Sequence, residues 1–366
     1  MDIKLEKLKR GVSGIMRVKN DAQFIEACVE SCINALDELI IVYNDCSDNS
    51  PQVIEKMRCR YPEKIKVYEY KYKVYSINLT KEEYEYAKSL PEDSPHLLCN
   101  YYNFALSKVT YQHAMKIDAD QIYFTEKLKK TCDIFRFDYT IDVKSKILGF
   151  IICLFYRIIN KLCCMFNLYI SIYNKEIKNL FKYYKDYVLY KAKKDEVLLS
   201  LSGLNVIKYN NEIFVPLGKT DKDINILPPY NGVGDHLIFK VSNNTYYIPS
   251  DFKLYNKYRS GKYTYIEQFV YPKKPILPLG LFWFHTNVMR PGVIEKIIQK
   301  IKLYPNHFML ADKFVNANYN QFLRKFVNRE LAPNSWQMLF QFNHFFNNED
   351  VIDNKKLLYK LFKKNH

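Results

Sequence analysis

The chain has 366 residues, 48% of them hydrophobic and 26% charged, enough to bury a sizeable core in one large domain or two. Lys and Arg number 55 against 39 Asp and Glu, a net charge of +16 that suits an anionic partner such as a nucleotide or an anionic membrane leaflet. Nine cysteines without a Cys-x-x-Cys pair argue against a disulfide framework and for a reducing compartment, and no His-Glu-x-x-His zinc site, nucleic-acid module or internal repeat is present.

Along the chain, Val12 to Val18 is an apolar run closed by Lys19-Asn20-Asp21, which reads as a strand followed by a helix N-cap. A helix over about 21–35 follows, because Phe24, Ile25, Cys28, Val29, Cys32 and Ile33 fall on one apolar stripe. Leu39 to Tyr43 is a continuous apolar strand, and the polar loop Asn44 to Ser50 leads to Pro51 at the start of a second helix. Ile65 to Tyr70 is a third strand. After a charged excursion, Ser94-Pro95 opens a helix to about Val109, and His113 to Ile117 is the fourth strand, delivering Asp118 and Asp120 into a loop.

Alternating strands and helices predict an α/β, Rossmann-like and mostly parallel sheet, whose ligands bind outside the carboxyl ends of the strands. The loops at Asn44 to Ser50 and at Asp118 to Asp120 fall on that edge. Neither a Gly-x-Gly-x-x-Gly turn nor a Gly-Lys-Ser/Thr loop occurs in a chain with 10 glycines, so metal and cationic side chains would neutralise a bound phosphate. Two carboxylates at i and i+2 after a strand suit Mg²⁺ or Mn²⁺ holding a diphosphate, or a solvated turn.

Gly14 to Asn20, Glu38 to Ser50, Asn103 to Leu106 and Met115 to Asp120 together resemble the nucleotide-binding half of a GT-A glycosyltransferase, over about the first third of the chain. More narrowly, they resemble inverting family-2-like enzymes of bacterial surface polysaccharides. The resemblance implies that Arg17, Asn20, Asn44, Asp45, Asp48 and Asp118 line the nucleotide pocket, and that Asp120, with Asp118, ligates Mn²⁺ or Mg²⁺. It implies a nucleotide-diphosphate sugar donor, UDP-linked by preference, and a glycan or lipid-linked glycan acceptor. One departure concerns the base: family members often read Val-Asp-Asp-Gly-Ser-Thr-Asp where this chain has Val42-Tyr-Asn-Asp-Cys-Ser-Asp48.

An inverting transfer needs a general base, and Asp235 in Asn231-Gly-Val-Gly-Asp-His-Leu-Ile-Phe239 is the expected one; as a helix N-cap it would serve a different purpose. Late in the chain, His285 matches the histidine that many GT-A enzymes return to the metal or diphosphate, its alternative being a hydrogen-bonded core residue. Arg290 is either a diphosphate partner or a surface arginine.

Met1 to Arg10 is too poor in apolar residues for a signal peptide, so a cytoplasmic location is expected. Arg157, Asn160 and Lys161 divide the hydrophobic stretch Ile147 to Tyr173 into pieces too short for an ordinary transmembrane helix. That stretch reads as an inserted helical subdomain packed on the sheet, or as a hairpin or in-plane segment against an anionic membrane. The basic clusters at Lys175 to Lys194 and Lys355 to Lys364 are solvated faces or anion contacts, with no nucleic-acid partner.

The expected organisation is a nucleotide-sugar-binding half at 1–130, an inserted helical region at 131–200, an acceptor half at 201–295 and a helical C-terminal segment at 296–366. The function expected is metal-dependent glycosyl transfer to a glycan hydroxyl with inversion, in capsule or lipopolysaccharide synthesis. A nucleotidyltransferase and a non-catalytic GT-A-like scaffold remain alternatives.

Overall fold

Strand and helix alternate from Lys9 to Asp118 in the computed structural model: β1 (Lys9–Val18), α1 (Ala22–Cys32), β2 (Glu38–Tyr43), α2 (Ser50–Arg60), β3 (Ile65–Glu69), α3 (Lys81–Ser89), α4 (Leu98–Leu106) and β4 (Tyr111–Asp118). There follow β5 (Gln121–Tyr123), α5 (Thr125–Arg136), α6 (Val143–Phe166), α7 (Lys175–Lys193), β6 (Leu198–Asn205), β7 (Ile207–Tyr209), β8 (Glu212–Pro216), β9 (Lys219–Asp221), β10 (Ile224–Ile226) and β11 (Tyr230–Asn231). The chain continues through β12 (Leu237–Lys240), β13 (Tyr246–Asp251), β14 (Tyr265–Val270), β15 (Ile276–His285), α8 (Ile294–Leu303), β16 (Phe308–Leu310) and α9 (Ala311–Phe314). The structure describes residues 7–166, 175–221, 224–232, 236–251, 263–317 and 350–359.

Two compact units divide the chain, Met1–Ala119 with Ile238–Lys274 and Asp120–Leu237 with Pro275–His366. In the first, strands run in the order β3-β2-β1-β4 with every pairing parallel, and β12 adds antiparallel to β4. The helical stripe read from sequence is the buried face of α1: Phe24, Ile25, Cys28, Val29 and Cys32 are all buried, and Ile33 just beyond it is too. Burying Phe24, Ile25, Val29 and Ile33 contributes roughly 1.5–3 kcal/mol each relative to exposure. In the second unit β15 lies between β6, to which it is parallel, and β5, to which it is antiparallel, with β11 pairing β6.

Several elements depart from the sequence reading. The helix expected from Ser94 starts at Leu98, because Asn100 Nδ2 donates to the Glu92 and Ser94 carbonyls and holds the preceding residues in turns. The charged excursion contains α3, started by a capping box in which the Thr80 hydroxyl accepts from the Glu83 N–H and Glu83 reaches back to the Thr80 N–H. The interruptions at Arg157, Asn160 and Lys161 do not break α6, which is continuous through them. Within the C-terminal segment expected to be helical, Phe308–Leu310 is a strand antiparallel to β8.

At the amino ends of the first unit's strands sits a buried carboxylate. Glu38, 1% exposed, accepts from Ser13 Oγ of β1 at 2.7 Å, from the Thr110 N–H at 2.6 Å and hydroxyl at 2.9 Å just before β4, and from Lys66 Nζ of β3 at 2.6 Å. Glu38→Ala strands these donors without an acceptor, and should lower the unfolding free energy by about 3–5 kcal/mol, read from a urea midpoint. A loss under about 1 kcal/mol would show that the network contributes little.

Candidate active site

At the carboxyl edge of the first unit, the loops after β1 and β2 hold each other. Asn20 and Asp45 both have positive φ, 57° and 44°, a conformation that Asn and Asp tolerate better than other side chains. Asn20 Oδ1 accepts from the Ser47 N–H at 2.7 Å, and Lys19 pairs with Asp45 at 2.9 Å, an interaction that lowers the pKa of this exposed carboxylate. Asn44 is 1% exposed, and its amide donates to the Tyr70 and Tyr72 carbonyls at 2.6 Å.

Asp48 caps two helices that make no side-chain bond from their own N-cap residues. Its carboxylate accepts from the Ala22 N–H at 3.1 Å, in the first turn of α1, and from the Ser50 N–H at 2.9 Å, at the start of α2. Burial works against its charge, but the hydrogen bonds from Ser50 and Ala22 outweigh that and lower its pKa.

Arg17 lies in register with Asp118 across β1 and β4. Its guanidinium stands 4.2 Å from the Tyr102 ring centroid and 5.3 Å from that of Tyr101. Burial opposes the Arg17 charge, but Tyr102, Glu267 and Tyr101 more than offset it and raise its pKa. The Asp118 carbonyl accepts from Cys28 Sγ at 3.3 Å, and its carboxylate, 34% exposed, lies 3.8 Å from Lys116 Nζ. Of the residues expected to meet a nucleotide, Asn44, Asp48 and Asn20 thus hold the scaffold, while Asp45 and Asp118 have the more open carboxylates.

The second unit gathers Asp120, His285 and Arg290. Asp120 stands in a two-residue turn between β4 and β5, where its carbonyl accepts from both the Thr286 N–H at 2.9 Å and the Thr286 hydroxyl at 2.8 Å. One carboxylate oxygen is 3.5 Å from His285 Nε2, and the other accepts from Arg290 at 3.1 Å. His285 ends β15, as the sequence suggested, and its Nδ1 is 2.6 Å from Asn205 Oδ1.

Asn205 was not singled out by sequence reading, and it decides the imidazole's tautomer. Its amide nitrogen donates to the Pro228 carbonyl at 2.7 Å, so Oδ1 faces the ring and must accept from Nδ1–H. With Nδ1 directed to Asn205, Nε2 is left facing the Asp120 carboxylate, a carboxylate and imidazole pair whose donor chemistry fits Mn²⁺. Among the described residues no three His, Cys, Asp or Glu side chains form a metal-binding group, so water and phosphate oxygens would have to fill the remaining positions of such an ion.

Asp235 lies outside the described residues, as do residues 167–173 of the long hydrophobic stretch and 360–366 at the end of the second basic cluster. The residue after Asp235, His236, is 2% exposed, 3.0 Å from Gln121 Nε2 and packed on Trp283 with ring centroids 4.7 Å apart.

Residues 7–161 match the model of a family described as β-1,4-N-acetylgalactosaminyltransferase (CgtA). Over that stretch, which is under half of the chain, the protein is similar to a glycosyltransferase family. No curated protein matches the chain. Residues 1–349 of TarS from S. aureus are 12% identical, with 94% of this chain and 73% of that one covered at a TM-score of 0.33. The same TarS fragment in complex with UDP is 13% identical, covering 88% and 72% at 0.33. Glucosyl-3-phosphoglycerate synthase from Mycobacterium tuberculosis, in complex with Mn²⁺, UDP and glucosyl-3-phosphoglycerate, is 15% identical over 31% of this chain and 34% of that one, at 0.19. The chain therefore spans about a third of the length of that synthase.

Two outcomes test this geometry without any substrate. Asp48→Ala should cost about 1–3 kcal/mol. Because the Asp48 pKa is depressed on folding, its contribution is present above roughly pH 4 and lost as pH falls through the folded value, so the variant's acid limb should be shallower than the wild type's. Nitrogen-15 NMR should find neutral His285 as the Nδ1–H tautomer in the wild type and as a mixture in Asn205→Ala; the same tautomer in both would remove Asn205 from this role.

Proposed function

We propose that the protein is a metal-dependent glycosyltransferase that moves a sugar from a nucleotide diphosphate, preferably UDP, to a hydroxyl of a glycan or lipid-linked glycan. The observation that carries this reading is the Asp120 carboxylate facing His285 Nε2, with Arg290 on its other oxygen. The family match over residues 7–161 supports it, and its description makes N-acetylgalactosamine the first sugar to try.

In this reading Asp45 and Asp118 meet the nucleoside, helped by the loop that Asn20, Asn44 and Asp48 hold in place beside Arg17. Asp120 and His285 hold Mn²⁺ or, with the hard carboxylate dominating, Mg²⁺. Bound there, the ion would supply Lewis acidity that stabilises the leaving diphosphate. Arg290 adds a fixed positive charge for the same developing anion. Thr286, by fixing the Asp120 carbonyl twice, limits how far that carboxylate can swing. Asp235 takes the proton of the acceptor hydroxyl as the oxygen attacks opposite the leaving group, which inverts the anomeric centre. The setting we assign is cytoplasmic synthesis of a surface polysaccharide, capsule or lipopolysaccharide.

Calorimetry of UDP, GDP, CDP and CMP with and without Mn²⁺ tests the donor site. One diphosphate should bind at least tenfold more tightly with metal, and Asp120→Ala should abolish that gain. Asp235→Asn should keep the binding and lose turnover by about 10²–10⁴-fold, the usual range for a general base. Full transfer by both variants would refute the assignment.

A further inference from the structure

Helix α6 is apolar on two opposite sides. One side is buried through Ser145, Cys153 and Tyr156, and Gly149 sits so close to Tyr183 and Tyr187 of α7 that a Cβ there would overlap them. The other side carries Ile147, Phe150, Ile151, Leu154, Phe155 and Ile158, each between 44% and 54% exposed. Their spacing, i, i+3, i+4, i+7, i+8 and i+11, makes one continuous stripe rather than scattered surface residues. A contiguous exposed apolar stripe of this length marks a surface that is covered by something else.

The charges around the stripe indicate what covers it. The helix bears Lys144, Lys146, Arg157 and Lys161 and no Asp or Glu. Lys146 and Arg157, eleven residues or about three turns apart, fall on one line bordering the stripe. Tyrosines of α7 line the seam between the two helices under lysines: Lys144 and Lys182 lie over Tyr183 at 5.7 and 4.9 Å, and Lys146 and Lys194 over Tyr190 at 5.2 and 4.5 Å. A second copy docking by the same face would oppose this basic rim with another, without carboxylates on α6 to neutralise it. An apolar stripe with a basic border and amphipathic tyrosines fits the headgroup and acyl boundary of an anionic bilayer. No helix among the described residues is long and apolar enough to cross a membrane.

We infer that the exposed face of α6 is a membrane-docking surface, lying in the plane of an anionic bilayer with its stripe among the acyl chains and Lys146 and Arg157 at the headgroups. This inference rests on α6 and its packing alone and is independent of the proposed transferase activity.

Co-sedimentation of the full chain with phosphatidylcholine vesicles, with and without phosphatidylglycerol, tests it. The wild type should bind the anionic vesicles and release them in high salt. Ile151→Glu with Leu154→Glu, both at exposed positions, should weaken binding by about a hundredfold or more. Lys146→Glu with Arg157→Glu should reduce the preference for anionic vesicles by about thirtyfold. Leu154→Trp, which keeps the stripe apolar, should show a blue-shifted emission only when anionic vesicles are present, and circular dichroism verifies that each variant is folded. No vesicle binding by the wild type, or undiminished binding by the Ile151 and Leu154 double variant, would overturn the proposal. A concentration-dependent dimer lost in that variant, without vesicle binding, would equally overturn it and assign the stripe to a second copy.

Discussion

The first unit is organised around one buried carboxylate. Glu38 ties β1, β3 and the residue preceding β4 to the amino end of β2, through donors that are backbone, hydroxyl and ammonium in turn. A carboxylate that is almost wholly buried is costly unless its oxygens are hydrogen-bonded, and here both are. Locking the strands at that end leaves their carboxyl ends to carry irregular loops. Asn20 and Asp45 can then hold left-handed backbone conformations there, because the sheet and the hydrogen bonds between the loops constrain the alternatives.

Chemistry and scaffold use the same residue types in these loops, which explains how much of the site the sequence revealed. Asn44, Asp48 and Asn20 were singled out as polar groups at the carboxyl edge, and they are there, but hydrogen-bonded to strand carbonyls, helix N-termini and a neighbouring loop. An Asn or Asp that accepts from a ribose hydroxyl and one that accepts from a backbone N–H look alike in sequence. Partners distant in the chain are what separate the two, as with Asn205 and His285, 80 residues apart. His285 was legible because it ends an aromatic strand; Asn205 gave no such signal, since only the fold brings β6 beside β15.

Secondary structure was most legible where one face is buried and another is not. The α1 stripe is of that kind, whereas α3 buries only Tyr84 and Ala87 in an otherwise charged run and announces itself by its capping box alone. Helix α6 shows the reverse difficulty. Arg157, Asn160 and Lys161 interrupt a hydropathy sum but not a ladder of backbone hydrogen bonds, to which side-chain charge is nearly indifferent. The return of residues 238–274 to the first unit is a consequence of antiparallel pairing between β12 and β4, which no local pattern encodes.

The claim on which the functional account turns is that Asp120 and His285 share one cation. Electron spin echo spectroscopy of Mn²⁺ added with UDP reads this directly, through the coupling of the metal electron to an imidazole nitrogen. The account predicts nitrogen modulation in the wild type that disappears in His285→Ala and a bound-metal signal that is itself lost in Asp120→Ala. Mn²⁺ bound with UDP but without nitrogen coupling, or with a coupling unchanged in His285→Ala, would contradict it.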